Sequence, residues 1–394
     1  MGGIETTMVR ATRWLVSRGH KITLLTFSGD KWSYLLPKEV RCIELGERFK
    51  ELHYLFHAWR LVRTLKVEHP DVIKGFDMDS SWIACQLGFL FGKGCRVFAG
   101  LYNPDLFRPL TFDRWKDERL YLRNYLECIP DNARVFCGLD QIENLEQIHG
   151  RKGELWPIPI DSYQYEQSAR KPKKGRIVSI GRLAPMKEYN LYMIDVVEKL
   201  LRKGYDVSWS VYGVGKYENE MKKRIQERAL EHEIQLEGAI PFTKVWRVLE
   251  DAYVFVGMGT AVLEAALFRV PNAVAVPYDS KGLSYGPVYN LPPGSVLPSK
   301  PHAARTSMIN EIERILNLTS SEYLDEAERV HKHVKAYETE SSMQRFLQLV
   351  DGVSPIKQKP MLYMSNYFRW IMQRFVSSKL FSSTSVFDSA TLSR

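Results

Sequence analysis

From Glu5 onward the chain alternates short apolar runs with longer amphipathic ones. In the first half the short runs predict strands at Lys21–Phe27, Val40–Leu45, Asp71–Phe76, Arg96–Ala99 and Arg134–Gly138. Helical spacing covers Glu5–Ser17, Leu52–Leu65, Ser80–Phe91 and Arg114–Glu127. Strands separated by helices of this length imply a parallel, doubly wound sheet, because a parallel strand needs a long crossover to return to the same edge. The pattern stops at Leu155–Asp161, where two prolines precede a polar, lysine-rich stretch, Tyr163–Lys174. A second alternation then predicts strands at Arg176–Ile180, Asp206–Tyr212, Ile234–Glu237, Tyr253–Val256 and Asn272–Val276. Its helices fall at Tyr189–Arg202, Lys216–Leu230, Thr243–Leu249, Ala261–Phe268 and Ala304–Leu316. The expected α/β architecture is two Rossmann-like domains, residues 1–160 and 161–340, facing a cleft, with a helix and an amphipathic tail over 341–394.

Composition narrows the class. The 394 residues have room for two cores, and 45% hydrophobic with 26% charged is ordinary globular usage. No apolar run is long enough to span a bilayer, and no signal peptide opens the sequence. Five cysteines, Cys42, Cys85, Cys95, Cys128 and Cys137, lack zinc-ligand or CxxC spacing and read as reduced, mostly buried thiols of a cytoplasmic protein. The net charge of +9 comes from basic residues spread over helices: Arg10, Arg13 and Arg18; Arg60, Arg63 and Lys66; Arg114, Lys116, Arg119 and Arg123. A solvated face is the default reading of each group, and attraction to membrane or substrate phosphates is the alternative. Nothing matches a nucleic-acid-binding signature, so nucleic acid is not an expected partner.

In open α/β sheets, ligands bind beyond the carboxyl ends of the strands, which directs attention to three loops. After Tyr253–Val256 comes a tight turn, Gly257-Met258-Gly259-Thr260, opening a helix with Glu264 one turn inside. Glycines let backbone amides approach a ligand, a helix N-terminus favours negative charge, and Glu264 is placed to accept from sugar or ribose hydroxyls. After Arg176–Ile180 comes Arg182-Leu183-Ala184-Pro185-Met186-Lys187, whose guanidinium and ammonium are able to grip a diphosphate and stabilise charge on a departing phosphate without a metal. After Asp206–Tyr212 comes Gly213-Val214-Gly215-Lys216, which lacks the third glycine of a dinucleotide fingerprint.

The order GRLAPMKEYN, VYGVGKYENEMKKRI, LEGAIPF, GMGTAVLEAALFRVP resembles the donor half of GT-B glycosyltransferases of the retaining family-4 type. The opening Gly2-Gly3-Ile4-Glu5 resembles that family's GGxE loop, and Ser284–Gly294 with Leu101–Phe107 resemble members from bacterial surface-polysaccharide (lipopolysaccharide or capsule) clusters. The resemblance implies that Arg182 and Lys187 bind the donor diphosphate and Glu264 the donor ribose. It implies that backbone amides of Gly259, Thr260 and Ala261 hold the transferred sugar, with Met258, Gly213 and Gly215 in the same pocket. Gly2 and Gly3 would close the site from the other domain. The implied reaction moves a sugar from a nucleotide-sugar, a substrate rather than a cofactor, to a glycan or lipid-linked acceptor with retention.

Three departures stand out. The family's paired glutamates lie eight positions apart, and here the first position is Val256. A tyrosine-histidine-proline triplet becomes Tyr102-Asn103-Pro104, in which Asn103 still donates a hydrogen bond but carries no proton. A GGxE loop normally follows the central first strand, so that strand is expected upstream of Met1. A non-catalytic nucleotide-sugar-binding paralogue or a sugar-nucleotide epimerase is the alternative function. Asp77-Met78-Asp79 spells a metal-binding DxD, yet no metal is expected, since the Arg182–Lys187 pair supplies the charge. His331 and His333 are expected on the surface. The resemblance makes Ser341–Val350 the helix that crosses back to the first domain. Beyond it, Met361, Met364, Phe368, Ile371 and Phe375 form an apolar stripe suited to peripheral contact with the inner membrane.

Overall fold

A computed structural model of the chain describes residues 3–26, 33–44, 69–91, 94–100, 102, 129–162, 170–292 and 306–354. Two compact units emerge: Met1–Trp14 with Cys137–Asp140 and Trp156–Arg345, and Leu15–Phe136 with Gln141–Leu155 and Phe346–Arg394. Two predicted helices, Leu52–Leu65 and Arg114–Glu127, lie outside the described residues, as does the stripe beginning at Met361.

In the second of these units, β1 (Thr23–Thr26) and β2 (Arg41–Glu44) pair in parallel. Strands β3 (Val72–Gly75), β4 (Arg96–Gly100), β5 (Arg134–Phe136) and β6 (Glu154–Leu155) form a parallel sheet in that order. Val97, Phe98 and Ala99 are fully buried, as an apolar run in a sheet covered on both faces should be. Helix α2 (Met78–Phe91) links β3 to β4. A helix absent from the sequence expectation, α3 (Leu139–His149), links β5 to β6.

The first unit holds helix α1 (Gly3–Ser17) up to Trp14 and a five-stranded sheet, all of its pairs parallel. Its strands are β7 (Arg176–Ile180), β8 (Ser208–Tyr212), β9 (Ile234–Gly238), β10 (Val254–Gly257) and β11 (Asn272–Val274), in the spatial order β11-β10-β7-β8-β9. The crossovers are α4 (Tyr189–Arg202), α5 (Glu218–Glu227), α6 (Val245–Leu249) and α7 (Thr260–Leu267). Helix α4 buries Leu191, Ile194, Val197 and Leu200 at helical spacing against Ile177, Trp209 and Val211 of the strands. A short antiparallel pair, β12 (Leu283–Ser284) with β13 (Thr306–Ser307), precedes α8 (Met308–Leu316), α9 (Ser320–Val334) and α10 (Thr339–Gly352). Within the segment predicted as a helix over Ala304–Leu316, Thr306–Ser307 form a strand and the helix starts at Met308.

One polar chain crosses the middle of this sheet. The Trp209 indole N–H donates to Ser179 Oγ at 2.9 Å, and that hydroxyl donates to the Val256 carbonyl at 2.7 Å, so β8, β7 and β10 are tied side by side. Ser179→Ala leaves the buried indole donor without its acceptor, and a loss of about 1–3 kcal/mol is expected in chemical denaturation. A midpoint equal to that of the unmodified protein would refute the tie.

Candidate functional site

Chain order runs outward from β7 in both directions, through β8 and β9 on one side and through β10 and β11 on the other. Strand order therefore reverses between β7 and β10, and their carboxyl ends flank the crevice where such sheets take ligands. The loops after β7, β8 and β10 carry most of the residues singled out above.

The first two loops are stitched together. Gly181 N–H donates to the Tyr212 carbonyl at 2.9 Å, Leu183 N–H to that of Val214 at 3.1 Å, and Tyr217 N–H to that of Leu183 at 3.1 Å. Glycine is required by the closeness of the backbones: a Cβ on Gly213 would stand 1.9 Å from the Gly181 carbonyl oxygen. A Cβ on Gly215 would stand 2.4 Å from the Leu183 carbonyl oxygen. Gly181 itself has φ +151°, and its missing Cβ leaves the space that the Lys187 ammonium occupies. The short 3-10 turn Pro185–Lys187 ends the loop, and Asn190 Nδ2 holds the Lys187 carbonyl at 2.9 Å. Lys187 is half-buried; burial first, and the neighbouring Arg182 charge second, pull its ammonium down to about 8. Arg182 is exposed.

At the third loop, β10 is buried throughout, and so is the Met258 side chain, which joins the core and leaves its backbone for any ligand. Gly259 takes the N-cap position of α7 with φ 73°, and no side chain caps this helix. Its first residue, Thr260, meets the first residue of α1: Thr260 Cγ2 lies 3.2 Å from where a Cβ on Gly3 would be. Two helix N-termini, each with partial positive charge, therefore abut beside half-buried Gly259, Thr260 and Ala261. Glu264, only 6% exposed, accepts at Oε1 from Arg10 Nη2 at 2.7 Å.

Arg10 departs from the expected solvated face. It is 3% exposed, with Nη1 3.4 Å from the Pro159 carbonyl, Nε 3.5 Å from Asp161 Oδ2, and its guanidinium carbon 5.7 Å from the centre of the Phe242 ring. Sequence reasoning missed it because its partners lie far along the chain; an arginine on the otherwise apolar-facing stripe with Thr6 and Val9 was the available signal. Val256 is 0% exposed, with its side chain inside the core.

Of the residues predicted for the site, the structure thus brings Arg182, Lys187, Gly213 and Gly215 together on two joined loops, and Gly3, Gly259, Thr260, Ala261 and Glu264 around the α7 N-terminus. Gly2 and Asn103 lie outside the described residues. Tyr102, next to Asn103, accepts at its hydroxyl from Lys74 Nζ at 2.9 Å in the other unit, where burial lowers the Lys74 ammonium to about 7. Asp77 caps α2, its Oδ1 accepting the Ser80 N–H at 2.7 Å. His331 and His333 are half-buried rather than on the surface, and His331 Nδ1 donates to the Leu267 carbonyl at 2.8 Å. Cys85, Cys95 and Cys137 are buried and Cys42 is exposed, none of them in a disulfide among the described residues, and Cys128 lies outside those residues. Among the described residues, no helix is long and apolar enough to cross a membrane.

The fold is shared with solved glycosyltransferases. The lipopolysaccharide outer core galactosyltransferase WaaB, in its apo form, superposes with TM-score 0.60 at 14% identity, over 89% of this chain and 96% of that one. Anabaena Alr3699/HepE, in complex with UDP and glucose, superposes with TM-score 0.64 at 13% identity, over 89% and 96%. Residues 1–144 match glycosyltransferase family 4, and residues 163–279 match glycosyl transferases group 1. Fold and family matches support a GT-B glycosyltransferase of the family-4 type. A curated relative of this GT-B chain is the poly(ribitol-phosphate) alpha-N-acetylglucosaminyltransferase of Staphylococcus aureus (strain COL), 26% identical over 183 residues. That match spans 44% of this chain and 34% of the relative, about a third of its length.

Proposed function

We propose that this GT-B chain moves a sugar from a nucleotide-diphosphate-sugar to a hydroxyl of a glycan or lipid-linked acceptor, with retention of configuration, in polysaccharide biosynthesis of the lipopolysaccharide or capsule kind. One observation carries the reading: a loop with two cations and an uncapped helix N-terminus backed by a buried carboxylate flank the same reversal of strand order. In this reading Lys187 and Arg182 hold the diphosphate, the N–H groups of Gly259–Ala261 face the sugar, and Glu264 accepts from the ribose. As the bond between anomeric carbon and phosphate oxygen breaks, its electron pair stays on the phosphate, and the two cations stabilise that charge in place of a metal. By the resemblance described above, Gly2, Gly3 and Asn103 are further candidates for substrate contact. That the named neighbours are a lipopolysaccharide galactosyltransferase and a protein holding UDP and glucose supports the class. A lipid-linked acceptor would be met at the cytoplasmic face of the inner membrane.

The test is a panel of UDP- and GDP-sugars offered with free-glycan and lipid-linked acceptors, read as release of nucleotide and linkage of product. Transfer from at least one donor is expected. Arg182→Ala should weaken donor binding about tenfold, a modest loss because an exposed charge is screened; full transfer by that variant would break the mechanism. The buried Val256 in place of a glutamate favours one second reading, a nucleotide-sugar-binding protein without turnover. Donor binding with no nucleotide release across the panel would select it.

A further inference from the structure

The guanidinium of Arg10 reaches into the donor side of unit one from a helix whose other basic residues suggested plain solvation. Taking a guanidinium and a carboxylate out of water is costly unless both are well partnered. Arg10 has that partnership: Glu264 at 2.7 Å, Asp161 at 3.5 Å, the Pro159 carbonyl at 3.4 Å and the Phe242 ring. The same ring also lies 6.0 Å from the Arg13 guanidinium carbon. Arg10 is thereby fixed from three segments, so its Nη2 presents to Glu264 from one direction. Only Oε1 of Glu264 takes this bond; among the described residues Oε2 has no hydrogen-bond partner. A carboxylate held at one oxygen cannot rotate freely and offers the other in a set orientation.

We infer that Arg10 is a positioning residue: it clamps Oε1 of Glu264 so that Oε2 points at the ribose of the donor nucleotide. The inference rests on the assignment of Glu264 to the ribose in the proposed function. Arg10 touches no reacting atom, and its contribution belongs to donor binding. Asp161 and Pro159 lie on the segment that follows Leu155, and that segment is itself pinned, by Thr339 Oγ1 donating to Asp161 Oδ1 at 3.0 Å and by the Thr339 N–H donating to the Ile160 carbonyl at 3.0 Å. The clamp is therefore anchored at both ends before any ligand arrives.

The experiment measures binding of UDP and GDP, each beside its 2′-deoxy and 3′-deoxy forms, to the full chain and to Arg10→Gln and Arg10→Lys. The unmodified protein should prefer at least one ribonucleotide over a deoxy form by roughly tenfold to a hundredfold, the worth of a hydrogen bond to a charged group. In Arg10→Gln that preference should fall to roughly twofold, while binding of the deoxy form stays within a similar factor. Arg10→Lys, a point charge without the fork, should restore part of it. In turnover with an active donor, KM should rise with kcat nearly unchanged. Equal losses for ribo- and deoxynucleotides, or tighter binding after Arg10→Gln, overturns the clamp. So does collapse of both variants in thermal melts, which assigns Arg10 to folding alone. If the unmodified protein itself binds nucleotide with no preference for the ribose hydroxyls, the assignment of Glu264 to the ribose fails and the clamp falls with it, whereas a preference that survives in Arg10→Gln overturns the clamp alone.

Discussion

Lys187→Met is expected to lower kcat/KM for the active donor by about two to three orders of magnitude, the usual cost of removing a preorganised charge from a developing oxyanion. The same variant should be more stable than the parent at pH 7. Burial and the Arg182 charge hold the Lys187 ammonium at about 8 rather than its ordinary 10.5. The folded protein therefore binds fewer protons at this site than the unfolded chain between those two values. Stability contributed by the site rises as pH goes from 8 to 10.5, and the cost of the buried ammonium is fully present below 8. A diphosphate reverses the balance, because it favours the charged form. Nucleoside-diphosphate affinity should accordingly be flat below pH 8 and fall about tenfold per unit above it, as expected when one proton must be bound. Calorimetry in buffers of different ionisation enthalpy should show proton uptake on binding near pH 8, and none in Lys187→Met. Affinity that climbs with pH across that range would remove Lys187 from the diphosphate.

Val256→Glu is expected to disable the fold of its unit rather than restore a second carboxylate to the pocket. The side chain is fully buried in the apolar cluster with Val254, Met258, Tyr189 and Leu183, and the Val256 carbonyl is already taken by Ser179 Oγ. A carboxylate there has no charge to pair with, and a loss of about 3–5 kcal/mol follows. The melting temperature should drop by roughly 10 °C. A buried glutamate has a raised folded pKa, so its cost appears above the unfolded value of about 4.3 and grows with pH. The gap to the parent should thus be wider at pH 8 than at pH 5. A variant that melts with the parent and turns over faster would show that this position does face the sugar. With valine in place, sugar orientation falls to the backbone N–H groups of Gly259–Ala261.

Much of this was legible in the sequence because it is local. Strand, glycine turn and helix follow one another without interruption over Val254–Leu267, and parallel strands buried on both faces spell themselves as runs such as RIVSI and VFVG. Their side-by-side placement rests on the strand order, which becomes visible only in the folded sheet. What the sequence hid depends on contacts across long separations. Arg10 and Glu264 are 254 residues apart, and a charge pattern along α1 says nothing of a carboxylate waiting on α7. Helix α3 was missed because its polar residues, Asp140, Gln141, Glu143 and Asn144, mask a sparse apolar spacing of Leu139, Ile142 and Leu145. The β12–β13 pair was missed because two-residue strands carry no period.

The contact between Gly213 and the Gly181 carbonyl has a consequence for engineering. Neither loop has room to change its backbone path while the other stays as it is, so the two form one cassette. A chimera built to alter donor choice by importing a relative's loop after β7 should misfold there or lose nucleotide affinity. Importing the loops after β7 and β8 together carries their mutual fit along with them, and swaps of specificity in this scaffold should succeed in pairs.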